Sequence, residues 1–258
     1  MFYYIYDIFL ADKKYSPLLY RIEARLMDLG INGRTEKLTI LKSLKEVMGD
    51  AVRKGADTIV AVGDDATISK IISLLPDLKV TLGIIPIGKN NKIARILGIP
   101  ENELACDTIS ARITERIDLG KANNQYFISS LEIPAQKELI MDCGSYRISP
   151  TSENDLVSIC NFDTLLSNDS KRASVCNPKD GILEAIVSSS HKNSGFFGNI
   201  FKKEYSPDSV FPFKKIKLKC SKECLPIIAD GQTTIKTPVT VEVLPKKLKI
   251  IVGKNRMF

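Results

Sequence analysis

The chain has 258 residues, of which 44% are hydrophobic and 26% charged, a composition typical of a globular protein with one large domain or two smaller ones. No apolar run approaches the roughly 20 residues of a membrane-spanning helix. The first residues reach Asp7 without the basic segment of a signal peptide. The sequence therefore argues against a helical membrane protein and predicts a cytoplasmic one.

Positive charge is concentrated near the C-terminus. The net charge is +7, and residues 201–258 carry 13 lysine or arginine residues against 5 aspartate or glutamate residues. Such a segment suits either an anionic partner or simply solvated strand faces. No nucleic-acid module is recognisable, so nucleic acid is not an expected partner. The six cysteines are scattered and there is a single histidine, which predicts reduced thiols rather than a disulfide framework or a metal site.

The first 110 residues alternate between strand and helix patterns. Apolar runs predict strands at residues 3–8, 58–62 and 80–85, and helical spacing of apolar residues predicts helices at 16–29, 43–54, 68–75, 91–97 and 102–111. Ser16 with Pro17 suits a helix N-terminus, and Ser43 with Glu46 has the pattern of a capping box. The alternation favours a parallel sheet covered on both faces.

The pattern changes near Ile113. Apolar residues alternate on either side of Asn123 and Asn124, which predicts a hairpin. Further strands are predicted at residues 138–142, 156–161, 182–188, 214–220, 227–229, 239–244 and 249–252. Because this half contains short strand patterns and no long helix, we expect an antiparallel β-sandwich.

Two turns in the first half have the composition of a phosphate site. The apolar run that ends at Val62 is followed by Gly63-Asp64-Asp65-Ala66-Thr67 and then by a helical pattern. The next predicted strand is followed by Gly88-Lys89-Asn90-Asn91 and a second helical pattern. A strand, a tight turn and a helix N-terminus direct backbone N–H groups towards an anion. Two such turns in succession predict one nucleotide cleft.

Five segments together resemble the diacylglycerol kinase catalytic family, lipid kinases related to sphingosine kinases and more distantly to NAD kinases. In chain order they are Gly63-Asp64-Asp65-Ala66-Thr67, where the family has Gly-Gly-Asp-Gly-Thr; residues 85–100, similar to its Pro-x-Gly-Thr-x-Asn-Asp-x-Ala-Arg-x-Leu-Gly-Ile-Pro stretch; residues 116–120 with Tyr126-Phe127; residues 177–183, with Asp-Gly-x-Leu; and residues 228–232, where the family has Asp-Gly-Glu. Any single match would be weak, but five in order are specific.

The resemblance implies a two-domain fold. An α/β nucleotide-binding domain is followed by an antiparallel β-sandwich, and the last strand crosses back to the first domain. We accordingly expect the nucleotide-binding domain at residues 1–112 with about 246–258, and the sandwich at 113–245. This agrees with the strand and helix pattern.

The resemblance also implies a reaction, the transfer of the γ-phosphate of ATP, with Mg²⁺, to a lipid hydroxyl such as that of diacylglycerol. It makes Asp230 the general base, because a carboxylate can accept the alcohol proton as the bond to phosphorus forms. The expected nucleotide-binding residues are Gly63, Asp64, Asp65, Ala66, Thr67, Gly88, Lys89, Asn91 and Arg95. The candidates for a magnesium site are Asp180 and Gln232.

Asp64 is the main departure from the family pattern, since it replaces the second glycine of the first turn; Ala66 replaces the next one. Two like charges about 4 Å apart repel by roughly 1–4 kcal/mol, and ATP carries several. Lys89 and Lys92 stand where the family has Thr and Asp. Three interpretations are open: the lysines hold phosphate and compensate Asp64, Asp64 pairs with Lys89 in an empty site, or all three side chains are simply solvated.

The late motifs also depart from the family. Gln232 replaces a glutamate, and a neutral amide cannot support Mg²⁺ or tune Asp230 as a carboxylate would. Asp180 and Asp230 each precede a glycine, so each also fits an ordinary turn. The family's Asn-Pro-x-Ser-Gly turn has no counterpart at residues 7–15, and the segment 127–156 is too short for the usual lipid-binding wall.

Residues 194–203 offer a replacement for that wall. Their aromatic and cationic side chains suit the interface of an anionic membrane; the candidate contacts are Phe196, Phe197, Lys202 and Lys203. The alternative is a loop whose rings fold back onto the sandwich.

The sequence therefore predicts a divergent ATP-dependent lipid kinase. The alternative is a lapsed kinase that binds a nucleotide or a protein partner without phosphoryl transfer, and a third hypothesis is a peripheral membrane module. The expected partners are ATP and a lipid at a membrane surface, and both a homodimer and a position at the inner membrane face are compatible with the sequence.

Overall fold

A computed structural model describes residues 1–134, 136–153, 155–162, 176–188, 209–222 and 224–258. The chain forms two compact units, residues 1–119 with 246–258 and residues 120–245. Among the described residues, no helix is long and apolar enough to cross a membrane.

The first unit alternates strands and helices as predicted. Its strands are β1 (Phe2–Tyr6), β2 (Arg34–Lys37), β3 (Thr58–Gly63), β4 (Thr81–Pro86) and the first part of β5 (Thr114–Ala122). Its helices are α1 (Ser16–Asp28), α2 (Leu44–Arg53), α3 (Asp65–Ile72), α4 (Lys92–Ile96) and α5 (Ala105–Ala111), with short 3-10 helices at Ile8–Ala11, Lys13–Tyr15, Leu75–Asp77 and Asn102–Leu104.

A parallel sheet forms the centre of this unit, with strand order β2-β1-β3-β4. Every residue of β1, β3 and β4 is buried, as expected for parallel strands covered on both faces. Because the strands are parallel, their carboxyl ends lie at one edge, which we call the carboxyl edge. The segments that begin at Asp7, Asp64 and Ile87 all leave the sheet there.

The differences from the predicted elements of this unit have local causes. Strand β2 was not predicted, because Arg34-Thr35-Glu36-Lys37 is an edge strand with mostly exposed, polar residues and no apolar run. Ser43 is the N-cap residue of α2, but its side chain accepts no capping hydrogen bond, so the predicted capping box is wrong. The helix predicted at 102–111 begins as a 3-10 turn.

The second unit is an antiparallel sandwich. It contains the end of β5 and strands β6 (Gln125–Phe127), β7 (Ser130–Pro134), β8 (Leu139–Asp142), β9 (Arg147–Ile148), β10 (Leu156–Cys160), β11 (Leu183–Ser188), β12 (Ser209–Phe213), β13 (Lys215–Cys220), β14 (Pro226–Ala229), β15 (Thr233–Lys236) and the first part of β16 (Val239–Ile251). One sheet has the order β12-β11-β10-β7-β14-β15, and the other contains β16, β13, β8 and β9.

Apolar side chains from the two sheets form the core between them, including Leu131 and Ile159 from one sheet and Met141 and Leu218 from the other. The predicted fold class is confirmed. The strands predicted at 239–244 and 249–252 are one continuous strand, β16, which begins in the sandwich and ends beside β4 in the first unit, where Ile250 pairs with Leu82.

Candidate nucleotide site and the Asp230 loop

The first predicted phosphate turn caps α3. Asp64 is the N-cap residue, and its Oδ1 accepts hydrogen bonds from the backbone N–H and the hydroxyl of Thr67, both at 3.2 Å. Gly63 has no room for a side chain, since a Cβ there would lie 2.3 Å from Thr67 Oγ1. The N–H of Thr67 lies at the N-terminus of α3, where a bound phosphate would accept such a hydrogen bond. In the structure, the Asp64 carboxylate accepts it instead.

The second turn lies directly against the first. Ile87 N–H donates to Gly63 O at 2.9 Å, and Asp65 N–H donates to Asn90 O at 2.9 Å. Gly88 has φ +117°, a conformation that favours glycine. A Cβ at Gly88 would lie 3.3 Å from the Cβ of Asp64. The two predicted turns are thus brought together at the carboxyl edge, as a single site requires.

Asp65 connects the two turns instead of facing an open site. Its carboxylate accepts the N–H groups of Lys92 at 2.8 Å and Ile93 at 3.1 Å, and so caps α4. Burial raises the pKa of the Asp65 carboxyl to about 6, partly offset by those two N–H donors. The role of Asp65 as a nucleotide-binding residue stays a prediction, and the structure shows its carboxylate joining the first turn to α4.

Asp7 is a residue of the candidate site that the sequence analysis did not single out. It follows β1 at the carboxyl edge, is 7% exposed, and accepts the Thr67 hydroxyl at 2.8 Å. Thr67 is itself buried, and its single hydroxyl proton lies between the carboxylates of Asp7 and Asp64. The available signal was positional, because a polar residue directly after a buried strand lies where the other two turns leave the sheet.

Asn91 fixes the second turn from within. Its side chain is 4% exposed, and its Nδ2 donates to Gly88 O and to Glu101 Oε1, both at 3.2 Å. Within the described ranges, its Oδ1 has no hydrogen-bond partner. Asn91 is therefore placed, as predicted, inside the second turn.

The cationic residues of the second turn and of α4 lie at the surface: Lys89, Lys92 and Arg95 are all exposed. Among the residues that the structure describes, no ion pair within 4.0 Å joins any of them, or Asp64, to an opposite charge. The interpretation in which Asp64 pairs with Lys89 is therefore not what the structure contains.

Asp230 is held by a loop of the sandwich unit. It has φ +49°, and its carboxylate accepts three backbone N–H groups, those of Ile128 at 3.0 Å, Ser129 at 2.8 Å and Ser130 at 3.2 Å. Asn161, fully buried, donates from Nδ2 to Ile128 O at 2.8 Å and so supports the same loop. The three N–H donors stabilise the charged carboxylate and fix its orientation.

The two predicted magnesium ligands lie on exposed turns. Asp180 Oδ1 accepts the N–H of Ile182 at 2.9 Å, and the backbone N–H of Gln232 donates to Ala229 O at 2.9 Å. The described part of the chain contains no group of three or more His, Cys, Asp or Glu residues arranged to hold a metal. The predicted membrane contacts Phe196, Phe197, Lys202 and Lys203 lie outside the described residues.

Glu184 is a buried carboxyl group that the sequence analysis did not single out. It lies on β11, is 6% exposed, and its Oε2 has no partner among the described residues. Burial raises the pKa of this carboxyl to about 7, and the negative charge of Asp180 acts in the same direction.

Replacing Glu184 with glutamine is therefore expected to change how stability depends on pH. The folded protein favours the protonated carboxyl, so this contribution is fully present below the unfolded pKa of 4.5 and is lost as the pH rises through about 7. At pH 8, Glu184→Gln should be about 2–3 kcal/mol more stable than the wild type, with little difference near pH 4.5. Urea unfolding at both pH values measures this.

The matched control is Glu46→Gln, which makes the same chemical change at an exposed position of α2. It should leave the difference in unfolding free energy between the two pH values unaltered. If Glu184→Gln and the wild type lose stability in parallel between pH 4.5 and 8, Glu184 is not the buried titrating group.

Known proteins with similar sequences and structures include diacylglycerol kinases. Residues 10–122 match the family model of the diacylglycerol kinase catalytic domain. A diacylglycerol kinase of Bacillus subtilis (strain 168) is 33% identical over 129 residues, which cover 48% of this chain and 43% of that protein. The match thus spans less than half of that relative's length.

Two further similarities extend over most of the chain. A Staphylococcus aureus (strain bovine RF122 / ET3-1) protein named "Putative lipid kinase" is 24% identical over 253 residues, covering 82% of each sequence. The crystal structure of a diacylglycerol kinase from Bacillus anthracis superimposes with a TM-score of 0.75 at 19% identity, covering 98% of this chain and 97% of that one. At this identity the structural match establishes the fold. The resemblance to the diacylglycerol kinase catalytic family that the five sequence segments indicated is confirmed, with residues 10–122 as the matched part.

Proposed function

We propose that this protein is an ATP-dependent lipid kinase that transfers the γ-phosphate of ATP to a lipid hydroxyl, with diacylglycerol as the candidate substrate. The observation that carries the proposal is the contact between the two glycine turns at the carboxyl edge. Gly63 and Gly88 stand where a Cβ would crowd Thr67 and Asp64, so glycine at both positions lets the two turns pack this closely. Turns of this build after parallel strands direct backbone N–H groups towards an anion.

Exposed cations next to these turns support phosphate binding. Lys89, Lys92 and Arg95 are held by no ion pair within the described residues, so their charge is available to an anionic ligand. The interpretation in which Lys89 and Lys92 compensate Asp64 and the one in which they are simply solvated both predict exposed, unpaired lysines. The proposal adopts the first because Lys89 lies in the second turn and Lys92 begins the helix that follows it.

We assign Asp230 to the acceptance of the alcohol proton. Support comes from its match to the late motif and from the three N–H groups that hold its carboxylate in one orientation, since a general base must be positioned before it can act. Mg²⁺ would neutralise charge on the phosphates. It is usually held by one or two carboxylates together with substrate phosphates and water, which fits Asp180 better than the neutral Gln232.

One observation favours the second candidate, a lapsed kinase. The carboxylates of Asp7 and Asp64 meet at the Thr67 hydroxyl, and Asp64 already accepts a helix N–H group. A phosphate would have to approach these negative charges. In this alternative the first turn keeps its shape, and the Asp64 carboxylate occupies the place that a phosphate group of ATP would take.

A transfer assay separates the two candidates. The protein with radiolabelled ATP, Mg²⁺ and mixed vesicles that contain diacylglycerol is expected to yield labelled phosphatidic acid. Thermal unfolding with and without ATP is measured in parallel, because a ligand that binds only the folded state raises its stability. Protection by ATP without transfer would support the lapsed kinase, and neither effect would contradict both.

A further inference from the structure

Ile40 and Leu41 are the two most exposed large hydrophobic side chains among the described residues, at 91% and 95%. They are consecutive, and they lie in the loop between β2 and α2, residues 38–43, which we call the Ile40 loop. Single exposed apolar residues are common on protein surfaces. Two adjacent aliphatic residues that are almost fully exposed indicate a surface made to contact something apolar.

The Ile40 loop leaves the sheet at the carboxyl edge. Tyr6 of β1 pairs with Lys37 of β2, and Leu38 N–H continues the ladder by donating to Tyr6 O at 2.9 Å. The loop therefore projects from the same edge as the two glycine turns. Ile8, which follows β1 at this edge, is also exposed, at 43%. The exposed aliphatic residues Ile8, Ile40 and Leu41 thus lie at the same edge of the sheet as the candidate nucleotide site.

Lysines lie on both sides of the exposed aliphatic pair. Residues 37–45 contain three lysines, Lys37, Lys42 and Lys45, and are flanked by Glu36 and Glu46, so that residues 36–46 carry a net charge of +1. All three are exposed, and one of them, Lys42, lies 2.5 Å from Glu36 Oε1. An aliphatic tip between lysines complements a surface with an apolar interior and negatively charged groups at its boundary, as in an anionic bilayer.

We propose that the Ile40 loop docks this protein on an anionic lipid bilayer, with Ile40 and Leu41 inserted among the acyl chains and the lysines at the headgroups. Docking would bring the carboxyl edge of the sheet to the membrane surface, where a lipid hydroxyl is presented. That benefit for catalysis rests on the proposed function. The docking itself requires no phosphoryl transfer.

A bilayer fits the loop better than a second protein chain does. A stable protein interface buries roughly 800 Å² on each partner, and two aliphatic side chains supply only a fraction of that area. A membrane needs no shape complementarity, and each buried methylene and each nearby lysine adds to partitioning independently.

Vesicle sedimentation tests the proposal on the full chain. The wild type should bind vesicles of phosphatidylglycerol and phosphatidylcholine, bind pure phosphatidylcholine less, and be released by salt. Ile40→Ser/Leu41→Ser should weaken binding to the anionic vesicles at least tenfold, and Lys45→Gln about fivefold. Met27→Ser is the matched control: Met27 is 69% exposed but lies in the last turn of α1, away from the carboxyl edge, so its binding should equal that of the wild type.

Three results would overturn the proposal: a wild type that does not bind anionic vesicles, a double variant that binds like the wild type, or a double variant that converts a wild-type dimer into a monomer in light scattering. Phosphorylation of soluble dioctanoylglycerol separates this proposal from the kinase assignment. The double variant should retain that activity in full. A protein that binds vesicles through Ile40 and Leu41 but phosphorylates nothing would contradict the kinase function and leave the docking surface intact.

Discussion

Asp230→Asn is expected to lower kcat by about 10²–10⁴-fold, the usual contribution of a positioned general base. Asparagine has nearly the same shape, but its amide cannot accept the alcohol proton as a carboxylate does. Initial rates of lipid phosphorylation at saturating ATP measure the effect. Binding of ATP, followed by thermal protection, should change little, because the substitution removes a group that acts on the acceptor alcohol.

Asp230 also stabilises the fold, so the assay needs a control substitution at another aspartate that accepts backbone N–H groups. Asparagine would face the N–H of Ile128 with a donor of its own, at a cost of about 1–3 kcal/mol. Asp155 is a matched case in the same unit, since its carboxylate accepts the N–H groups of Thr151 and Ser152, both at 3.0 Å. Because a single oxygen of Asp155 accepts both groups, the amide oxygen of asparagine can replace it, and Asp155→Asn should lose the charge, keep most of the stability and keep kcat. If both variants lose activity only in proportion to their folded fraction, Asp230 is structural.

Asp64→Asn is expected to tighten ATP binding by about 10- to 100-fold. The substitution removes a negative charge beside the place proposed for the phosphates, and charge repulsion of this kind amounts to roughly 1–4 kcal/mol at about 4 Å. Asparagine is as good an N-cap residue as aspartate, so α3 should keep its cap and the melting temperature should change by only a few degrees. Titration calorimetry with ATP gives the dissociation constants.

Asp12→Asn controls for the change in net charge. Asp12 is also an N-cap residue, accepting the N–H of Lys14 at 3.0 Å at an exposed position, and its substitution should leave ATP affinity unchanged. A wild type that binds no ATP together with an Asp64→Asn variant that does would identify the carboxylate as the block and favour the lapsed kinase. Equal affinities in the two proteins would contradict the idea that Asp64 opposes phosphate.

The sequence predicted the parallel sheet because β1, β3 and β4 are buried on both faces, which produces unbroken apolar runs. It failed at β2 and at the short strands β7, β9, β12 and β15. Strand β2, largely exposed, pairs through backbone groups that leave no apolar pattern. Pro245, Lys246 and Lys247 interrupt the apolar pattern of β16, so the sequence predicted two strands there. In the structure the strand is continuous, because its first part pairs with β13 and its last part with β4.

The sequence by itself identified the two positions at which one backbone segment packs closely against another. Gly63 and Gly88, and the order of the motifs around them, can be read directly from it. Only the tertiary structure decided which groups face these turns. It placed Asp7 against Thr67, 60 residues away, and it placed the 128–130 loop around Asp230, about 100 residues away. A local sequence pattern predicts which residues are buried and where the chain turns. Hydrogen bonds between distant segments depend on how the strands pair, and the residues next to each segment in the sequence do not determine that pairing.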